Sequence, residues 1–377
     1  MTVKVFLKNT EIPEHLVDGV SIIADLTEMY LAGEVVLKDM GSFYANSVKL
    51  GTPLQIRYIT DGGYTYKNDF RIQAFQKIQD RENNDIDFLR MSVVSAWYFD
   101  GEPQTQAYKG SYGQWVSLLT QGLSSQLTLG GFNTEDTPKT RYMIAKRPQE
   151  FLQETMRYGL IGGMPVYLHT LPTNKLCLDG IANLVKNTRP DTVLFSRNVL
   201  QTQAADQVVT ELRPNLVSLD PGKRNIRMES FDLHTSNIGN SSKVTCRFTQ
   251  DHFKCSNTSF ASTGIVVQSI EKGNAQVEKV APARMEYFTW EYTPDDAKAM
   301  AVRTGLERVF QTFSLSASLY GTYVDTLYPG AMVEVLLTNN AKGEELVGNG
   351  VYMVKRAAYQ MRKGKQETKL LLVQASN

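Results

Sequence analysis

Cys246, His252 and Cys255 are the group in this chain whose types and spacing suit a metal ion: two thiols and an imidazole within ten residues. A structural zinc takes four such ligands. The fourth would have to come from Cys177, His234 or a neighbouring chain, which leaves the three as a weak candidate; ordinary side chains of a hairpin account for them better. Catalytic material is sparse. The chain has 4 histidines in 377 residues, and it carries no phosphate loop, zinc-protease helix motif or serine elbow. Gly348-Asn349-Gly350 opens like a dinucleotide fingerprint but precedes a strand, so no helix N-terminus would face a phosphate; a hairpin loop explains it. His169 sits in an alternating strand and reads as packed or solvated. Asp295 and Asp296 read as helix-capping acids. Asp80, Glu82, Asp85 and Asp87 read as a solvated strand tip that discourages edge pairing. Hydrolysis by paired carboxyls needs two of them across a cleft, and nothing in the sequence places such a pair. The expectation is a protein that is not an enzyme, with no catalytic residue and no cofactor.

A basic cluster, Lys355, Arg356, Arg362, Lys363, Lys365 and Lys369, surrounds an expected hairpin tip. A solvated, aggregation-resistant turn is one explanation. The other is contact with an acidic partner or adjacent subunit, which makes Lys355, Arg356, Arg362, Lys363 and Lys365 interface candidates. Aromatic residues are too sparse there for a nucleic-acid grip.

Whole-chain numbers narrow the class. Lys+Arg is 40 and Asp+Glu 39, without the basic excess of a nucleic-acid binder; near-neutrality suits a protein that works inside an assembly. Three cysteines argue against a disulfide-stapled scaffold, and folding in a reducing cytoplasm is expected. Met1 to Lys8 alternates like a strand and does not read as a signal peptide. No apolar run approaches the roughly 20 residues that span a bilayer, so no membrane insertion is expected.

The elements that must position these residues repeat. Gly51-Thr52-Pro53 leads into the strand Leu54–Ile59, a loop, the strand Asp69–Gln76, a polar turn and the strand Phe88–Ala96. Tyr328-Pro329-Gly330 leads into Ala331–Leu337, a loop, Val351–Tyr359, a turn and Thr368–Ala375. The spacing predicts an α+β, β-rich chain with two similar small β-barrels and α/β segments between them. Residues 1–103 form the first barrel and 104–190 a small α/β domain. That domain has a helix capped by Ser111 with Tyr112, Trp115, Val116, Leu119 and Leu123 on one face. A second helix starts at Pro148, and a hairpin turns at Leu171–Asn174. Residues 191–292 form a β-rich segment partly shared with the last barrel, with strand-like runs at Val208–Leu212, Val244–Phe248 and Gly264–Val267. Residues 293–377 supply a helix from Asp295 to Phe310, an alternating strand from Phe313 to Leu319, and the second barrel.

In this order and spacing the chain resembles the baseplate hub protein of contractile-tailed, T-even-like bacteriophages, related to the N-terminal part of type VI secretion spike proteins. The resemblance covers nearly the full length as pattern more than identity. It is carried by the helix Tyr112 to Leu123, by Phe151-Leu152 through Cys177-Leu178, and by Asp295 to Phe310, Pro329-Gly330 and Val351 to Gln374. It implies a homotrimeric ring whose two barrels per chain give a pseudo-six-fold face. That face meets a six-fold tail tube or its initiator proteins, and the other end holds a three-fold central spike. Baseplate wedge proteins are possible neighbours, and DNA passes through the channel without sequence-specific binding. The location implied is the virion tail baseplate, assembled in the host cytoplasm. Exposed strand edges could pair around such a ring. No lysozyme or needle repeat is legible, so the spike is expected to be a separate protein. The alternatives are a tail-tip adhesin or receptor-contact protein and, less, a tail-associated cell-wall hydrolase. The adaptor reading requires the two modules to share a strand order.

Overall fold

The computed structural model describes residues 2–59, 65–79, 87–121, 128–132, 139–157, 159–161, 164–180, 184, 190–197, 222–235, 243–248, 253–258, 286–288, 303, 313–338, 348–362 and 364–376. Six strands make the first barrel: β1 (Thr2–Leu7), β2 (Val17–Asp25), β3 (Ala32–Asp39), β4 (Pro53–Ile59), β5 (Thr65–Gln79) and β6 (Asp87–Ser95). Two-residue periodicity points Val3, Val5 and Leu7, then Val35 and Leu37, then Leu54, Ile56 and Tyr58, into one core. The strands lie in the order β1-β4-β5-β6-β3-β2, and every neighbour is antiparallel. One short α-helix, Phe43–Ser47, and 3-10 turns at Glu14–Leu16, Met40–Ser42 and Ala96–Phe99 interrupt the strands. The buried Asp39 carboxylate accepts from the Tyr44 and Ala45 amides, each at 2.8 Å, and so satisfies donors that the first helical turn leaves free.

The middle segment holds β7 (Gln104–Gly110), helix α1 (Tyr112–Thr120), β8 (Thr128–Phe132), β9 (Lys139–Lys146), helix α2 (Pro148–Arg157), β10 (Met164–Thr170) and β11 (Lys175–Gly180). Ser111 and Gln114 form a reciprocal capping box at the start of α1. Tyr112, Trp115, Val116 and Leu119 bury one face of it against Phe151, Leu152 and Met156 of α2. The expected helix is present to Thr120; Leu123 lies outside the described residues. β7 was not foreseen. It pairs antiparallel with β9, and its outward polar residues gave no alternation to read.

The second barrel is β12 (Thr192–Arg197), β13 (Arg224–Thr235), β14 (Phe313–Tyr320), β15 (Met332–Thr338), β16 (Gly350–Arg362) and β17 (Lys365–Ser376). Its order is β12-β15-β16-β17-β14-β13, closed by β12 pairing with β13. Residues 191–292 therefore lend two strands to this barrel. The remaining strands described there, Lys243–Phe248, Phe253–Thr258 and Glu286–Phe288, form a separate sheet. The expected strands at Val208–Leu212 and Gly264–Val267 lie outside the described residues, as does the helix from Asp295 to Phe310 apart from Arg303. Among the described residues no helix is long and apolar enough to cross a membrane.

Candidate assembly interface

Taken strand by strand, the two barrels have one order: β1 to β6 occupy the positions of β12 to β17. The local hydrogen bonds repeat as well. Gly51 N–H donates to the Ile72 carbonyl at 2.8 Å and Ile72 N–H to Thr52 at 3.1 Å. In the second barrel Gly330 N–H donates to Val354 at 2.8 Å and Val354 N–H to Ala331 at 2.9 Å. Both glycines need a left-handed backbone, with φ of 78° and 88°. The bulges repeat too. β5 bulges at Gln73 against β6, and β16 at Lys355 against β17. β2 bulges at Asp18 against β3, and β13 at Glu229 against β14. Bulges fix register because one extra residue otherwise flips every later side chain. Two shared bulges, each present in both barrels, therefore mark one architecture used twice. The first strand is the exception: β1 runs antiparallel to β4, whereas β12 runs parallel to both β15 and β13. No pairing between β1 and β2 is found among the described residues, so that closure is made in the second barrel alone.

The barrels join through β2 and β16, which pair antiparallel from Asp25 opposite Arg356 to Gly19 opposite Arg362. One apolar core runs through the junction, with Val20, Ile22 and Ala24 from one side and Ala357 and Tyr359 from the other. The Tyr359 hydroxyl donates to the Leu327 carbonyl at 2.6 Å, and complete burial pushes the phenol well above its ordinary range. Charges clamp both ends. Arg356 Nε lies 2.6 Å from the buried Asp25 carboxylate, which also accepts from the Thr27 amide and hydroxyl; Arg362 Nε lies 3.7 Å from Asp18. Glu28 sits at the first clamp. Burial and then the Asp25 carboxylate push it above the ordinary carboxylate range, against the pull of Arg356 and Arg157.

Two of the basic interface candidates, Arg356 and Arg362, thus face acids of the first barrel within the same chain. Lys355 is the bulge residue, Lys365 starts β17, and Lys363 lies outside the described residues. Cys246 stands opposite Cys255 on adjacent strands, and His252 lies outside the described residues. Among the described residues no three His, Cys, Asp or Glu side chains converge as metal ligands. His169 is buried, with its Nε2 2.9 Å from Asp179. The middle segment is tied to the first barrel by the Pro172 carbonyl, which accepts from Tyr58 Oη and, at 2.9 Å, from Asn68 Nδ2. Gln149 Nε2 holds the opposite end by donating to the carbonyls of Trp97 and Tyr98, each at 3.0 Å.

Solved structures of the same overall shape span almost the whole chain. The 43 kDa tail protein of prophage MuSo2 from Shewanella oneidensis is 9% identical with a TM-score of 0.59, over 99% of this chain and 98% of that one. The tail protein from Neisseria meningitidis MC58 is 11% identical with a TM-score of 0.54, over 99% and 96%. The chain has the fold of these tail proteins. At such identities the likeness is one of fold. No family model matches the sequence, and no curated protein matches it significantly. The β-rich fold agrees with the expectation drawn from the duplicated cassette, and its likeness to tail proteins agrees with the family resemblance. The sequence missed the β2–β16 junction, since pairing across more than three hundred residues leaves no local pattern.

Proposed function

We propose that this chain is the structural hub of a phage tail baseplate: three copies form a ring whose six barrels offer a pseudo-six-fold face. The observation that carries the reading is the shared strand order of the two barrels, repeated to the level of their bulges and entry glycines. A single barrel per chain would give a ring of the same order as its subunits. Two matched barrels per chain let a three-fold assembly meet a six-fold one. In this reading the six-barrel face docks on the tail tube or its initiator, and the opposite end of the ring holds a three-fold central spike. Wedge proteins of the baseplate border it, and DNA crosses the channel without base-specific contact. The work is mechanical: no catalytic step, metal or cofactor is assigned, and the place of action is the virion tail after assembly in the host cytoplasm. The solved tail proteins of like fold support a tail role.

The test is the mass of the purified protein in solution, alone and mixed with a three-fold spike protein from the same tail. A trimer in either condition is expected. A strict monomer in both contradicts the hub reading and favours the adhesin alternative.

A further inference from the structure

Two of the three thiols stand together. Cys246, on the strand Lys243–Phe248, is directly opposite Cys255 on the antiparallel strand Phe253–Thr258. The register runs without a bulge from Phe248 opposite Phe253 to Lys243 opposite Thr258. Directly opposite positions share one side of an antiparallel pair. Their Cα atoms lie about 4.5 Å or about 5.5 Å apart, according to whether the pair exchanges hydrogen bonds. A disulfide needs about 4.4–6.8 Å, so either spacing accommodates one with the backbone in place. Glu286 of the third strand stands on the other flank of Cys255. That row offers two thiols and one carboxylate, one ligand short of a structural zinc; a bond between the thiols requires only an oxidant. Cys177 differs. It faces His169 across β10 and β11, not another thiol, and burial, followed by the Asp179 carboxylate, pushes it up to about 12. Too little thiolate forms there for exchange.

We infer that Cys246 and Cys255 are a modification site: they close a cross-strand disulfide when the chain meets a low-molecular-weight disulfide such as oxidised glutathione. One thiol loses its proton and attacks a sulfur of the oxidant, forming a mixed disulfide and releasing one glutathione thiolate. The second thiol loses its proton and attacks the protein sulfur of that mixed disulfide, forming the S–S bond and releasing the second glutathione thiolate. Two electrons and two protons pass to glutathione, one oxidised molecule becoming two reduced ones. The bond ties two strands of a three-stranded sheet that, among the described residues, pairs with neither barrel. Sheets of so few strands are the least stable by themselves, so a covalent tie matters most there. In a reducing cytoplasm the thiols stay open; on the tail reading above, closure follows release from the host.

The purified full-length chain, kept native, is incubated with oxidised glutathione; its remaining thiols are then alkylated and it is digested with trypsin without reduction. Cleavage after Arg247 and Lys254 puts Cys246 and Cys255 on different peptides, so their joint mass reports the bond. More than about half of the chains should carry it, at monomer mass on a denaturing gel and with Cys177 unlinked, and a reductant should reverse it. At a fixed glutathione ratio, linked over open chains should be at least about tenfold higher in the folded chain than in urea, because the register holds the two residues opposite each other. Equal ratios overturn the proposal. So do full alkylation of both thiols, a bond from either to a second copy, or stoichiometric zinc that shields both until it is chelated. Cys246→Ser and Cys255→Ser should each abolish the joint peptide and leave Cys177 unpaired; a link from the remaining thiol to Cys177 overturns the pairing. The readout is the bond alone, so its failure leaves the ring reading, which is tested by mass in solution, as it stands.

Discussion

Gly330 and Gly51 carry the same backbone strain with different neighbours, and that difference is measurable. A Cβ on Gly51 meets nothing within 4 Å, whereas one on Gly330 stands 3.3 Å from Leu184 Cδ2. Gly51→Val should cost about 1–2 kcal/mol for the left-handed backbone alone. Gly330→Val adds about 1–3 kcal/mol of overpacking, and should disturb the last barrel and ring assembly more than the middle segment; equal urea midpoints for the two variants contradict this. At the junction, Arg356 is half-exposed while Asp25 is buried and holds the Thr27 amide and hydroxyl. Arg356→Ala should therefore cost about 1 kcal/mol, less in high salt. Asp25→Ala should cost about 1–3 kcal/mol, because it removes the acceptor shared by the partly buried Thr27 amide and hydroxyl and by Arg356; thermal melts at two salt concentrations separate the cases. Glu28 is pushed up by burial, so the folded chain holds its proton more tightly than the unfolded chain does. That contribution is present below the ordinary carboxylate range and is lost as pH rises through the raised value. Glu28→Gln should raise the melting temperature at neutral pH, with the gain vanishing in acid; a lower melting temperature at neutral pH contradicts the assignment.

At the scale of elements, the capping box is the cleanest lever on the middle segment. Ser111→Ala removes the side chain that accepts the Gln114 amide, and should cost about 1 kcal/mol of stability by calorimetry, with ring formation unchanged. This helix was legible because cap, period and aromatic face agree within a dozen residues. The strands of both cassettes were legible for the same reason: Leu54, Ile56 and Tyr58 alternate, as do Leu315, Ala317 and Leu319. β13 was not. It buries little beyond Ile226 and Met228, with Phe231 and Leu233 half-buried, and it presents a polar run to solvent. The bulges at Gln73 and Lys355 were equally silent, since neither residue has a turn-former's chemistry, yet they set the register on which the candidate interface depends. The reversed β1 shows the limit of reading a repeat. A strand's direction is set by the route of the chain between elements, which periodicity does not encode.

For the whole molecule, the two barrels share one core and one continuous sheet among the described residues. In the proposed ring of three such units, the junction within each chain is covalently continuous and the one between chains is not. Dilution should release intact monomers before any barrel unfolds, so the dissociation midpoint should depend on concentration while the unfolding midpoint of the monomer does not. A peptidoglycan-clearing assay of the purified chain should be blank. The measurement that bears most directly on the hub reading is an averaged end-on electron micrograph of the purified protein, alone or seated on its spike. Three-fold particles with six similar lobes around a central channel are the predicted result; lone particles, or a ring whose lobe count is not six, contradict it.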